Sequence, residues 1–347
     1  MKALIAQADK TAKVEERPIP QIAEDEILVK NVAVALNPTD WKRIEMAVTP
    51  GSISGVDFAG IVVKIGEKVT NVAIGDKVAG FVHGGAVPDE GSFAEYLKAS
   101  ADLVWKIPED TLSFEEAATM GCGLLTAVQA LFNPTRLGLV EPPEKVNRDE
   151  WVFVYGGSSS VGLFAVQLVH LAGYKVVSVS SPQNFELVKS LGADAVFDYR
   201  DPDVVSKIKS LTGDSIHKAL DTISTESSQV LSVKTFAPGP GKLLTILAPS
   251  SSAQKVNPEV ELQFTLLTTV LGRAFDFIGK HFPASPEDKA HMVQFLKKLP
   301  GFVKEGKIKP NPVKLWPVNG LDAIPEGLQY LREGKNSGEK VVHRIRE

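Results

Sequence analysis

The chain has 347 residues, enough for about two domains at the rough allowance of ~150 residues each. With 44% hydrophobic and 23% charged residues it has the balance of an ordinary globular protein, which excludes a disordered or fibrous chain. A net charge of −4 with no basic stripe argues against nucleic acid as a partner, because such proteins neutralise phosphates with clustered Lys and Arg.

The opening MKALIAQADKTAK lacks the apolar stretch of a secretory leader, and no later stretch reaches the ~18 uncharged apolar residues of a membrane span. The expectation is a cytoplasmic protein with no membrane partner. One cysteine, Cys122, excludes both an intrachain disulfide and a four-cysteine structural zinc site. The histidines, at 83, 170, 217, 281, 291 and 343, show no i, i+4 pair and no tight cluster, so no metal site is expected.

In chain order, ILVKNVAVALN (27–37), DFAGIVVKIG (57–66), DKVAGFV (76–82), FAEYL (93–97) and LVWKI (103–107) are short β-like runs bounded by turn residues. They predict a compact, mainly antiparallel domain. At residues 113–132 the pattern turns helical, with Ser113 and Glu116 at capping-box spacing. EPPEKVNRDE (141–150) reads as an exposed connector.

From Trp151, strands alternate with helices. WVFVYG, YKVVSVS, ADAVFDY, HKALDTI and GKLLTIL read as strands; VGLFAVQLVHLAG, NFELVKSLG, PDVVSKIKSLTG and SSQVLSVKTFA read as the helices between them. That alternation implies parallel βαβ units in a doubly wound sheet. The tail returns to another style, a helix over 285–308 and strand-like PVKLWPV and EKVVHRI, and is expected to complete the first domain.

GSSSVG (157–162) sits where the first of these strands turns into its helix. It is G-x-S-x-x-G, a dinucleotide fingerprint with Ser159 in place of the second glycine, whose role is to let backbone approach the pyrophosphate. Serine adds a small side chain and a hydroxyl able to bond a phosphate oxygen, beside a helix N-terminus that favours anions. The same residues also suit a plain strand-to-helix turn; position at the first βαβ unit favours the cofactor reading. Cofactor contacts are therefore expected at Gly157, Ser158, Ser159, Ser160, Val161 and Gly162.

An NAD site places an acid at the end of the second strand, about 20 residues on, to bond the ribose 2′-hydroxyl. Here the strand ends in SSPQNF, with no acid before Glu186, which favours NADPH. No arginine compensates in this reading, so neutral groups hold the 2′-phosphate: Ser180, Ser181 and Asn184, with Tyr199 from the third strand. Plain turn residues are the alternative.

With these pieces placed, the chain resembles the zinc-independent medium-chain dehydrogenase/reductase superfamily, most of all its fungal branch of trans-acting enoyl reductases and quinone-oxidoreductase-like proteins. The resemblance runs end to end, through ALNPTDWKR (35–43), GVDFAGIVVKIG (55–66), GDKVAGF (75–81), GLLTA (123–127), GGSSSVG (156–162), SSPQNF (180–185), VFDYR (196–200) and GKNSGEKVV (334–342). It implies an α/β protein: a GroES-like, mainly antiparallel catalytic domain at 1–125 and 290–347, a doubly wound Rossmann domain at 126–289, and an active site in the cleft between them. Zinc-dependent relatives carry a ligating cysteine in the segment matching NPTD and a histidine in that matching GVDF; this chain has neither, with Val56 beside Asp57 where the histidine falls. Without a Lewis acid, alcohol oxidation loses its usual support, and hydride delivery to an activated alkene or a quinone remains.

The resemblance further implies cofactor contacts at Leu247 and Ser337. It implies that Lys42 and Thr126 line the substrate cleft near the nicotinamide, as in fungal enoyl reductases, and that Asn37 does so as in quinone reductases. Hydride addition to an enone or enoyl thioester builds negative charge on the carbonyl oxygen, which the lysine ammonium or threonine hydroxyl would stabilise. The plainer readings are a solvated lysine, a helical threonine and, for Cys122, a small buried residue. The expected activity is metal-free, NADPH-dependent reduction of an activated C=C bond. The alternatives are an NADPH quinone oxidoreductase and a nucleotide-binding redox sensor with little turnover. Expected partners are a small-molecule or acyl-thioester substrate and, by resemblance, an acyl-carrier or polyketide synthase protein, with the enzyme a monomer or homodimer.

Overall fold

A computed structural model describes residues 1–46, 49–147 and 149–345. It divides into two compact units, Met1–Cys122 with Thr268–Glu347, and Gly123–Leu267.

The first unit opens with β1 (Lys2–Ala6) and β2 (Ala12–Glu16), an antiparallel pair. Strand β3 (Glu26–Ala35) leads into helix α1 (Pro38–Glu45), and β4 (Asp57–Ile65), β5 (Lys77–Phe81), β6 (Tyr96–Ser100) and β7 (Val104–Lys106) follow. β3 runs antiparallel to both β4 and β6, β4 to β5, and β5 to β7. Their inward Ile27, Val29, Phe58, Val62, Val78 and Leu97 form one buried cluster. At ~1.5–3 kcal/mol for each large apolar side chain removed from water, that cluster is the main force holding the strands together. Register shifts at Leu28/Val29 and Asn31/Ala33 interrupt the ladder of β3 with β4.

Ser113 caps α2 (Phe114–Ala118) as its spacing predicts: Glu116 N–H donates to Ser113 Oγ at 3.2 Å, and Ser113 N–H to Glu116 Oε2 at 2.9 Å. The helical run then breaks and restarts as α3 (Cys122–Phe132). At the break, a Cβ on Gly121 would lie 2.3 Å from Asp57 Oδ1, so only glycine fits there.

The second unit runs β8 (Trp151–Tyr155), α4 (Ser160–Leu171), β9 (Lys175–Ser180), α5 (Phe185–Ser190), β10 (Ala195–Asp198), α6 (Val204–Thr212), β11 (Lys218–Asp221), α7 (Glu226–Lys234), β12 (Gly241–Thr245), α8 (Ser251–Val256) and β13 (Val260–Phe264). Every pairing is parallel, in the order β10-β9-β8-β11-β12-β13. Phe153, Val177, Ala219 and Leu243 are fully buried, the continuous apolar filling of a sheet covered on both faces. The chain winds outward from β8 in one direction and from β11 in the other. The gap between those two strands is the topological switch point, where such sheets bind ligands at their carboxyl ends.

The chain then returns to the first unit with the hairpin β14 (Phe275–Phe277) and β15 (Lys280–Phe282), the long α9 (Pro286–Lys304), β16 (Val313–Leu315), α10 (Ile324–Arg332) and β17 (Lys340–Arg344). β17 pairs antiparallel with β3, so the tail completes the first sheet as its composition suggests. The unit boundaries differ from the 125/126 and 289/290 expected from the sequence. Residues 268–289 lie in the first unit, where the Phe275 ring meets His83 edge-on at 5.5 Å and the Arg43 guanidinium sits 4.8 Å from the Phe277 ring. No helix among the described residues is long and apolar enough to cross a membrane.

Candidate functional site

The glycine turn lies at the carboxyl end of β8, beside the switch point. Gly156 has φ +77°, and a Cβ there would come 2.6 Å from Thr222 Oγ1. A Cβ on Gly157 would lie 2.2 Å from Ser178 Oγ on β9, and one on Gly162 only 2.1 Å from the Gly156 carbonyl oxygen. The glycines thus let strand, turn and helix interlock. Ser159 is the N-cap of α4, and its Oγ accepts the Gly162 N–H at 2.9 Å. It also meets Thr222 Oγ1 at 2.8 Å. Thr222 Oγ1 is also within reach of the carbonyls of Tyr155 (2.8 Å) and Gly156 (3.1 Å). The Ser159 hydroxyl thus serves as a helix cap and is tied to Thr222. Ser158, Ser160 and Val161 are half-buried at the surface of the turn, and the first turn of α4 brings backbone N–H groups with no intrahelical acceptor.

Ser180 is the last residue of β9, 2% exposed, with Asp198 of β10 as its register partner. Asn184 is also buried, and Ser181 is half-buried. The residues that follow the two strands therefore leave the sheet side by side. They include Tyr199 and an arginine absent from the contacts expected above. Arg200 makes a two-pronged pair with Asp198, Nε to Oδ1 and Nη2 to Oδ2, both 2.9 Å, and its guanidinium carbon is 5.4 Å from the Tyr199 ring centroid. It is legible in VFDYR, but attention to the second strand alone misses a cation delivered by the third. Past the ends of β11 and β12, Ile223 and Leu247 stay 41% and 43% exposed, and Ile223 lies against Gly156 of the turn. Ser337 is an exposed residue of the first unit, just ahead of β17.

The other candidates divide between the units. In the first, Lys42 lies on α1 with its ammonium 5.5 Å from the Trp41 ring centroid and no ion pair among the described residues. Asn37, the N-cap of α1, is 4% exposed and engaged on every side. Its Nδ2 donates to Asp57 Oδ2 at 2.8 Å, its Oδ1 accepts from Lys340 Nζ, and its backbone N–H donates to Asp40 Oδ2 at 2.7 Å. Asp57 also accepts the Cys122 N–H on Oδ1 at 2.5 Å, and Lys340 Nζ lies 3.3 Å from its Oδ2. Burial pushes the Asp57 carboxyl's proton affinity up, and Lys340, the Asn37 amide and the Cys122 N–H oppose it. Asp40, buried with one oxygen unpartnered among the described residues, is pushed up to about 8 by burial, with the nearby Asp57 adding to the rise. In the second unit Thr126 lies within α3, 7% exposed, its hydroxyl without a hydrogen bond to the described residues.

A zinc ion does not fit this chemistry. Val56 has no ligating atom, both Asp57 oxygens are held by donors, and the His83 ring stands 3.3 Å from the Arg43 guanidinium. Among the described residues no group of three or more His, Cys, Asp or Glu is placed to hold a metal.

Comparison with known proteins agrees with this architecture. The alcohol dehydrogenase GroES-like domain family matches residues 23–109, and the zinc-binding dehydrogenase family matches 160–297. A trans-enoyl reductase of Alternaria alternata is 40% identical over 99% of this chain and 98% of its own length. A zinc-type alcohol dehydrogenase-like protein of Schizosaccharomyces pombe is 37% identical over 99% and 100%. Among solved structures, the CurK enoyl reductase superposes with a TM-score of 0.77 at 21% identity, covering 99% of this chain and 98% of that one. A quinone oxidoreductase from Coxiella burnetii gives 0.71 at 25% identity, covering 100% and 99%.

Proposed function

The chain belongs to the medium-chain dehydrogenase/reductase superfamily, in the family of the fungal trans-enoyl reductases, and from that premise we propose that it is an NADPH-dependent, metal-free reductase of an activated carbon–carbon double bond. The substrate is an enoyl thioester, free or on a carrier protein, or an enone. The observation that carries this reading is the turn at Gly156–Gly162, set at the switch point of a parallel sheet whose second strand ends in serines instead of an acid. A nicotinamide cofactor is common to the superfamily. The absence of a carboxylate at Ser180–Asn184 removes the group that would repel a 2′-phosphate.

When bound, the nicotinamide supplies a hydride to the β-carbon of the alkene. The protein's task is to stabilise the negative charge that builds on the substrate carbonyl oxygen. Lys42, with no carboxylate partner among the described residues, has an ammonium available for that oxygen. Thr126 is the alternative candidate, with a hydroxyl able to donate to a substrate carbonyl oxygen or to pass a proton, directly or through water, to the α-carbon. For Asn37, whose amide is bonded to Asp57 and Lys340, the role proposed is to support the start of α1, beside the substrate contact its resemblance implies.

Stopped-flow oxidation of NADPH tests the reading. Consumption with a crotonyl thioester or a simple enone is expected; consumption with quinones alone would move the chain to the second reading, a quinone oxidoreductase, which the likeness to the Coxiella protein keeps in play. Fluorescence titration is expected to give NADPH at least tenfold tighter binding than NADH, about 1.4 kcal/mol. Equal affinities would refute the cofactor assignment.

A further inference from the structure

A 2′-phosphate carries close to two negative charges, and neutral serines and a tyrosine are weak partners for it compared with charge-assisted donors. The second strand brings no cation to its end: after Ser180 come Ser181, Pro182, Gln183 and Asn184. The third strand does. Because β9 and β10 pair in parallel with Ser180 opposite Asp198, the first residues past each strand emerge at the same point of the sheet edge. Arg200 is two residues beyond Asp198, as Pro182 is two beyond Ser180.

We propose that Arg200, held in place by Asp198, is the cationic contact for the 2′-phosphate of NADPH and so the residue that sets the preference over NADH. This rests on the NADPH reading above. Three features prepare the side chain. Both its backbone N–H (3.0 Å) and its guanidinium bond the same Asp198 carboxylate, which fixes the fork. The pair uses Nε and one Nη2 hydrogen, leaving the donors of Nη1 and the second hydrogen of Nη2. The Tyr199 ring, 5.4 Å away, backs the guanidinium from one side.

The local charge does not favour an anion by itself. Asp198, Asp201 and Asp203 outnumber Arg200 and Lys207, and Lys207 is already paired with Asp201. Recognition must therefore come from directed hydrogen bonds and not from a general positive field. A planar, pre-oriented fork suits that task better than a lysine.

The test is Arg200→Gln, titrated with NADPH and NADH beside the parent protein. Arg200 is solvent-exposed, so the variant is expected to melt at the parent temperature. The expected result is NADPH binding weakened at least tenfold with NADH affinity unchanged within about twofold. If the parent prefers NADPH and Arg200→Gln keeps that preference, Arg200 merely closes the β10 turn and this proposal falls while the NADPH reading stands. Equal weakening of both cofactors also overturns the proposal alone, since it reports damage to the site in general. A parent protein without preference for NADPH overturns both.

Discussion

At Ser159 a serine stands where dinucleotide turns carry glycine, and its hydroxyl explains why the substitution is tolerated: it caps α4 and ties the turn to Thr222. Ser159→Ala should therefore lower stability by about 1 kcal/mol, the usual loss for an N-cap, while NADPH affinity stays within about threefold. Thermal unfolding and fluorescence titration on the same samples check this; a tenfold loss of affinity at unchanged stability would give the hydroxyl back to the phosphate. Lys42 poses the opposite case, a side chain with no ion pair among the described residues and the neighbouring Trp41 ring beside its ammonium. If its ammonium stabilises the developing enolate, Lys42→Ala lowers kcat on a short uncharged enone by about 100-fold, or roughly 2.7 kcal/mol. A rise in KM confined to CoA-linked substrates would instead make it an anchor for the carrier.

Among elements, those that fill the core are the ones readable in the sequence. β8 is an unbroken apolar run, and β9, β11 and β12 hold fully buried Val176 and Val177, Ala219 and Leu220, and Leu243 and Leu244 between polar ends; their parallel pairing follows from the βαβ alternation. The strands that the pattern misses are short or half-polar: β2 reads AKVEE and β13 reads VELQF, where the second strand's place at the sheet edge demands little apolar surface. The Asn37–Asp57–Lys340 cluster is illegible for another reason. Asn37 and Lys340 are 303 residues apart, and nothing local in GKNSGEKVV announces a lysine 3% exposed. That cluster joins β17, β4, the start of α1 and the first residue of α3 through one carboxylate. Lys340→Met leaves the buried Asp57 charge without its counter-ion, so a loss of about 3 kcal/mol is expected in denaturant unfolding, the scale found on breaking a buried pair. Adding Asp57→Asn should return part of that loss, because the charge itself is then gone. A single-variant loss below about 1 kcal/mol would mean that Asp57 is protonated in the native protein and never needed the lysine.

For the whole molecule, three buried titratable groups pull stability in opposite directions with pH. His343 is fully buried, stacked on Trp316 at 5.4 Å, with neither ring nitrogen bonded among the described residues, and burial drops its pKa to about 4. His83 is lowered to about 3 by burial and by the charges of Arg43 and Arg273. For both, the unfolded chain takes up protons that the native state refuses, so stability falls as pH drops from about 6.5 toward these values. Asp40 works the other way: raised to about 8, it stays protonated in the native state, and its contribution is lost as pH rises from about 4 through 8. Because acidification relieves Asp40 while it burdens the histidines, the pH profile of the parent protein alone cannot separate them, but a difference between two proteins can. His343→Leu removes one titration and leaves the others. Whatever constant offset the repacking at this position adds, the stability of the variant relative to the parent should increase by about 2 kcal/mol between pH 7 and pH 5. Urea unfolding of both proteins at the two pH values measures it. A difference that does not change with pH would mean that His343 gains a proton as readily in the native protein as in the unfolded chain, and that the ring has found a partner or water in solution.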